Sequence, residues 1–109
     1  METSVKAPLS DALNQLWMKF LPQMEERLSA LDTANRALSA GSLSDEERLE
    51  AVGAAHKLAG VLGTFGLAEG TQLAREAELA YSGDLAALSD NLGRLQAIAR
   101  ELSQMIRNR

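Results

Sequence analysis

Apolar residues along this chain recur every three or four positions, and nowhere do they alternate one by one long enough to suggest a strand. From Leu9 onward, Leu13, Leu16, Trp17, Phe20, Met24, Leu28, Leu31 and Leu38 fall within one broad stripe at about 100° per residue. Lys19, Glu25 and Arg27 lie off it or at its edge. Pro22 sits inside this run, where it loses one backbone bond and crowds the carbonyl of Met18. Because the stripe keeps its phase across Pro22, the expectation is a kink in the first helix rather than a break. That helix should end near Ala40-Gly41, with Gly41 in the left-handed conformation. Residues 1–8 show no periodicity and close on Pro8, so they read as a flexible lead-in to a single domain over 9–109.

Three further helices follow. Ser44-Asp45-Glu46-Glu47 has the form of a capping box, with acidic residues in the first turn where the helix dipole favours them. The second helix is predicted over 45–62, and Gly63-Thr64-Phe65-Gly66 breaks it. The third covers roughly 67–81 and stops at Ser82-Gly83, and Asp84 starts the fourth. Leu85, Leu88, Leu92, Leu95, Ala99, Leu102 and Ile106 alternate in steps of 3 and 4 along the fourth helix, a heptad-type seam. Helices with one apolar face each and short connections pack most simply as an all-α, antiparallel up-down four-helix bundle, with crossings of roughly 20°.

Composition narrows the functional classes. The 109 residues suffice for one domain, and aromatics at 4% leave Leu and Ala to build most of the core. Net charge is −4 and the 11 basic residues form no long run, which argues against a nucleic-acid surface. There is no Cys, so disulfides, thiol catalysis and cysteine-ligated metals are excluded. No apolar run is long enough to span a membrane, and the first residues lack the apolar segment of a secretory signal. The expected location is the cytoplasm.

The one histidine, His56, does not fit the core pattern. The buried face of its helix should centre on Val52, Ala55, Leu58, Ala59 and Leu62, which leaves His56 on a shoulder. Gly53, Gly60 and Gly63 lie within about 60° of it on the helical wheel. Each glycine costs about 1 kcal/mol relative to alanine in a helix, so something must compensate. Either the glycines clear the surface around the imidazole for another macromolecule, or they allow a neighbouring helix to approach. Spacing alone leaves both open.

Ala55-His56-Lys57-Leu58-Ala59-Gly60, followed by Gly63-Thr64-Phe65-Gly66-Leu67, resembles the signature of histidine-containing phosphotransfer (HPt) domains. That signature has a histidine, a leucine two residues on, a glycine at +4 and a second glycine-bounded turn near +10. Chain length and helix layout agree with it throughout. The resemblance implies a relay in two-component signalling, with a response-regulator receiver domain, a hybrid histidine kinase, or both as partners. His56 would be the phosphorylated residue, Gly60 the close-approach glycine, and Gly66 the end of the turn. The sequence departs from the family pattern at Ala59, where many members carry lysine; Lys57 is present instead, about 100° around the helix from His56.

The chemistry suits this reading. Imidazole is a competent nucleophile near neutral pH without a base to deprotonate it. Phosphoryl transfer needs in-line approach and charge neutralisation, which a receiver's divalent metal ion and lysine supply in trans. No cofactor is therefore expected in the domain itself, which would be a phosphotransfer intermediate without autonomous catalysis. If the second and third helices fold back about Thr64-Phe65, positions 72–76 come level with His56. Gln72 and Arg75 then become candidate neighbours, with a solvated helix face as the plainer reading of both.

Other classes fare worse. A single histidine cannot complete a di-iron or zinc ligand set, and Met18, Met24 and Met105 fall on stripes that read as core rather than as haem ligands. Hydrolytic triads lack a second base. Trp17 reads as a core anchor. Two alternatives stay open: a helical adaptor without phosphotransfer, and the phosphoacceptor module of a chemotaxis-type kinase.

Overall fold

The computed structural model describes the backbone of residues 2–109 and the side chains of residues 10–109. Among the described residues every regular element is helical: α1 (Glu2–Ser39), α2 (Asp45–Thr64), α3 (Ala68–Ser82), α4 (Leu85–Asp90) and α5 (Leu92–Asn108). The lead-in expected over residues 1–8 falls outside the residues whose side chains are described. No described helix is long and apolar enough to cross a membrane.

Helix ends follow local chemistry. At the end of α1 Gly41 takes φ +70°, and the Ser42 N–H donates to the Ala37 carbonyl at 2.8 Å, closing the last turn. At the start of α2 the capping box forms in both directions. The Glu47 N–H donates to Ser44 Oγ and the Ser44 N–H to Glu47 Oε1, each at 3.0 Å. The α2–α3 turn ends on Gly66 at φ +75°, as a left-handed turn position demands. Helix α2 runs two residues past its expected end, to Thr64, before that turn takes effect.

Five helices, not four, make up the chain. The run expected as one fourth helix divides at Asn91, which has φ −96° and ψ 7°. Its side-chain amide donates to the Ala87 carbonyl at 3.0 Å, and its own N–H is shared between Ala87 and Leu88. An asparagine that satisfies the preceding turn in this way competes with helix continuation. Leu85, the first residue of the heptad seam, is consequently 55% exposed on short α4, whereas Leu88, Leu95, Ala99, Leu102 and Ile106 are buried.

The four longer helices pack in a ring, with α1 and α3 each against both α2 and α5. Their directions alternate. Trp17 meets Phe65 at the turn end, and the Arg48 guanidinium reaches the Gly83 carbonyl at the other (3.1 Å). Trp17, Met24, Leu31, Leu58, Leu62, Leu102 and Tyr81 fill the centre. Helix α1 passes through Pro22 without interruption.

Besides Leu85, three further expected core positions are exposed. Leu13 and Leu16 are exposed, as is all of α1 over 10–16. Arg109, at the end of α5, bonds Asn14, so little of the bundle lies beyond that level to cover them. Met18 is 65% exposed because it faces outward along the α1–α5 seam. On α2 the buried face is Ala51, Ala54, Ala55, Leu58, Ala59 and Leu62, rotated slightly from the expected centre so that Val52 is only half-buried.

Candidate functional site

His56 stands near the middle of α2, on the seam with α3, with its side chain 74% exposed. The faces of α2 explain this position. Ala55, Leu58, Ala59 and Leu62 carry the helix into the core, and His56 lies outside that arc. Its Nδ1 lies 3.0 Å from Oε2 of Glu78, a residue of α3 that is 27% exposed. An ionised carboxylate only accepts hydrogen bonds, so Nδ1 carries the proton and donates it to Glu78. In the neutral ring this leaves Nε2 with a free lone pair. The exposed imidazole is thus held in one tautomer.

Glu78 is the site residue that sequence reasoning missed. Estimating the hairpin from Thr64-Phe65 places 72–76 level with His56, but α2 continues to Thr64 and α3 begins only at Ala68. A glutamate side chain then reaches back from position 78. Gln72 and Arg75 are both exposed on α3, and neither hydrogen-bonds His56. Glu76, at the edge of the expected window, turns away from α2 and forms a bidentate pair with Arg94 of α5 (2.6 and 2.9 Å). That bond holds the Glu76 carboxyl below the usual carboxylate range.

The three glycines around His56 separate into two kinds. A Cβ added at Gly53 or Gly60 would meet nothing within 4 Å, so no neighbouring helix requires either one to be glycine. At Gly63 the same atom would lie 3.3 Å from Thr71 Oγ1. Thr71 is fixed there by donating to the Ala59 carbonyl at 2.9 Å, so Gly63 serves the α2–α3 contact. Close helix approach thus accounts for Gly63, whereas Gly53 and Gly60 leave open space beside the histidine.

Lys57 is exposed on the other side of His56. With Gly53 it borders a shallow depression against α1, beside Glu26 and Arg27. Ala59 is buried against α3, so the position where many family members carry lysine is here part of the packed interior.

An exposed imidazole of fixed tautomer, on a helix surface kept low by Gly53 and Gly60, can be met in line by a second protein. This arrangement agrees with what comparison with other proteins finds. No solved structure matches. Over 71 residues, 65% of the chain, it is 35% identical to Protein RcaC of Microchaete diplosiphon. The matched segment spans 11% of that protein's length. The model of the Hpt domain family matches residues 15–108, which takes in His56, Glu78 and all of α2 to α5. With the motif, the helical ring and the family match in agreement, this chain belongs to the Hpt domain family.

Proposed function

We propose that the chain is a phosphorelay intermediate of two-component signalling in which Nε2 of His56 takes a phosphoryl group from, or returns it to, the aspartate of a receiver domain. In the forward step the Nε2 lone pair forms the N–P bond while the bond from phosphorus to the aspartyl oxygen breaks. The carboxylate leaves with that electron pair. The ring keeps its Nδ1 proton and gains positive charge, which the Glu78 carboxylate at 3.0 Å offsets. The receiver supplies its divalent metal ion and the approach geometry, and the bundle supplies the nucleophile. The domain is thus a carrier of the phosphoryl group, working with a receiver or a hybrid kinase in the cytoplasm.

Gly60 and Gly53 are the low ground on which the receiver settles. Lys57 on α2 and Arg75 on α3 take the charge-neutralising part left open at Ala59, and Gln72 offers a hydrogen-bonding amide on the same exposed face of α3. Architecturally the working unit is the ring of α1, α2, α3 and α5, with α4 as part of a connection. A bend at Pro22 keeps α1 on that ring; burial of Trp17 before the proline and Met24 after it supports this.

The observation that carries the reading is the exposed ring bonded through Nδ1 to Glu78. It is tested by incubating the chain with receivers loaded from acetyl phosphate and assaying acid-labile, base-stable phosphate. The wild-type chain should take up label, and His56→Gln should take up none while unfolding at nearly the same temperature, because an exposed side chain contributes little packing. Label on the His56→Gln variant would refute the assignment.

A further inference from the structure

The ring order places the α1–α5 seam on the far side of the molecule from the α2–α3 seam that holds His56. Along the α1–α5 seam runs a groove of about 730 Å³, reaching from Asn14 to Arg36 on α1. At 1.5 Å per residue that is about 33 Å, the length of a helix of about twenty residues. Trp17, Leu21, Leu28 and Ile106 give it an apolar strip, with Met18 standing exposed at the rim and polar side chains, Glu25 and Asp32 among them, along its walls. A second depression, of about 520 Å³, continues it along α5 and shares Asp32, Arg36, Ser103 and Arg107 with it.

The charge at this end of the groove runs against the rest of the chain. Net charge is −4, yet Arg36, Arg100 and Arg107 gather here around Asp32. All three arginines are exposed. The ion pairs among the described residues, His56–Glu78 and Glu76–Arg94, involve none of them. Unpaired guanidinium groups beside an apolar trough fit a ligand that is apolar on one side and acidic on the other. Both walls are helices whose backbone groups are already bonded internally, so strand addition is unavailable and a helix laid into the groove is the mode that fits.

We propose that the α1–α5 groove docks an acidic amphipathic helix of a partner protein. The helix sets its apolar face on Leu21, Leu28 and Met18 and its carboxylates against Arg36, Arg100 and Arg107. Lying opposite His56, it can stay bound while a receiver exchanges phosphate on the other face. The groove holds the domain near its partners, and it does not depend on His56 being the phosphoacceptor.

The test uses the full chain, labelled with nitrogen-15, and a synthetic peptide of about twenty residues with leucines at helical spacing on one face and glutamates on the other. Amide shifts should concentrate at Met18, Leu21, Leu28, Arg36 and Arg107 and leave His56 and Glu78 unmoved. The double charge reversal Arg36→Glu with Arg107→Glu should weaken binding about tenfold or more at low salt, and added salt should weaken wild-type binding. Binding to His56→Gln should equal that to wild type, so a failed phosphoacceptor assignment and a failed groove are told apart. Because these arginines are exposed, circular dichroism of the reversed variant should match wild type. Shifts centred on His56, affinity indifferent to the charge reversal, or no shifts at millimolar peptide would each overturn the proposal. So would concentration-dependent dimerisation that the peptide cannot displace, which would give the groove to a second copy.

Discussion

At the residue scale, Glu78 does two things for His56 that exposure alone cannot. It selects the tautomer, because the carboxylate accepts only from a protonated Nδ1, and in the proposed transfer it would stand beside the positive charge that forms as Nε2 bonds phosphorus. Glu78→Ala removes both effects and should slow transfer from a receiver about tenfold, taking the lower end for a charge-assisted bond because the pair is solvent-exposed. Glu78→Gln keeps an acceptor oxygen and loses the charge, so its rate should fall between the two. Single-turnover loss of label from a phosphorylated receiver measures both, and a Glu78→Ala rate equal to wild type would show that the ring needs no partner. His56 was legible in the sequence because it is the lone histidine, off the apolar stripe and among glycines. Glu78 was not, because a pairing across two helices depends on where the turn ends, and a two-residue extension of α2 moves the register past any local pattern.

At the scale of elements, α2 uses glycine in two opposite ways, and the two uses predict opposite outcomes. Gly60 faces open space, so Gly60→Ala should stabilise the helix by up to about 1 kcal/mol while slowing transfer from a receiver, with Gly60→Leu slower still. Transfer from a small donor such as acetyl phosphate should change far less, because only a receiver must lie down on the helix. At Gly63 an added Cβ meets Thr71 Oγ1 at 3.3 Å, and Thr71 cannot yield without loosening its bond to the Ala59 carbonyl. Gly63→Ala should therefore forfeit the helix-propensity gain and unfold at lower denaturant than Gly60→Ala. Equal midpoints for the two variants would remove the distinction. Capping signals at Gly41, Ser44 and Gly66 made most helix ends readable, since each end is decided by a residue's own backbone needs. The division at Asn91 escaped because the 3-and-4 spacing of leucines continues across it unchanged. Leu13, Leu16 and Met18 misled for a related reason: a stripe shows which face a helix would bury, and only the neighbouring helices determine how far that face is covered.

At the scale of the whole molecule, one buried polar chain ties three helices that the apolar core would otherwise let slide. Asn35 of α1 accepts the Tyr81 hydroxyl of α3 and donates from Nδ2 to the Leu95 carbonyl of α5 at 3.3 Å. No buried side-chain polar atom among the described residues lacks a partner, so the chain is fully satisfied and acts as a register pin. Its setting also makes stability depend on pH. Burial pushes the Tyr81 phenol up from 10 to about 12, because a phenolate in the core would be poorly solvated. The folded state thus holds this proton more tightly than the unfolded chain does. The stabilisation is complete below about pH 10, where tyrosine is protonated in both states, and is lost as pH rises through the folded value near 12. Tyr81→Phe should remove this part of the alkaline decline. At neutral pH the same change should cost about 1–3 kcal/mol, since it strands the Asn35 oxygen in the core. Urea midpoints for both proteins between pH 7 and 12 decide the matter. If the wild-type curve falls away while Tyr81→Phe starts lower and falls less, the buried phenol is the group responsible; parallel curves would show that it is not. Three residues before Tyr81 on the same helix stands Glu78, so the pin that fixes α3 against α1 and α5 also steadies the helix from which that carboxylate reaches His56.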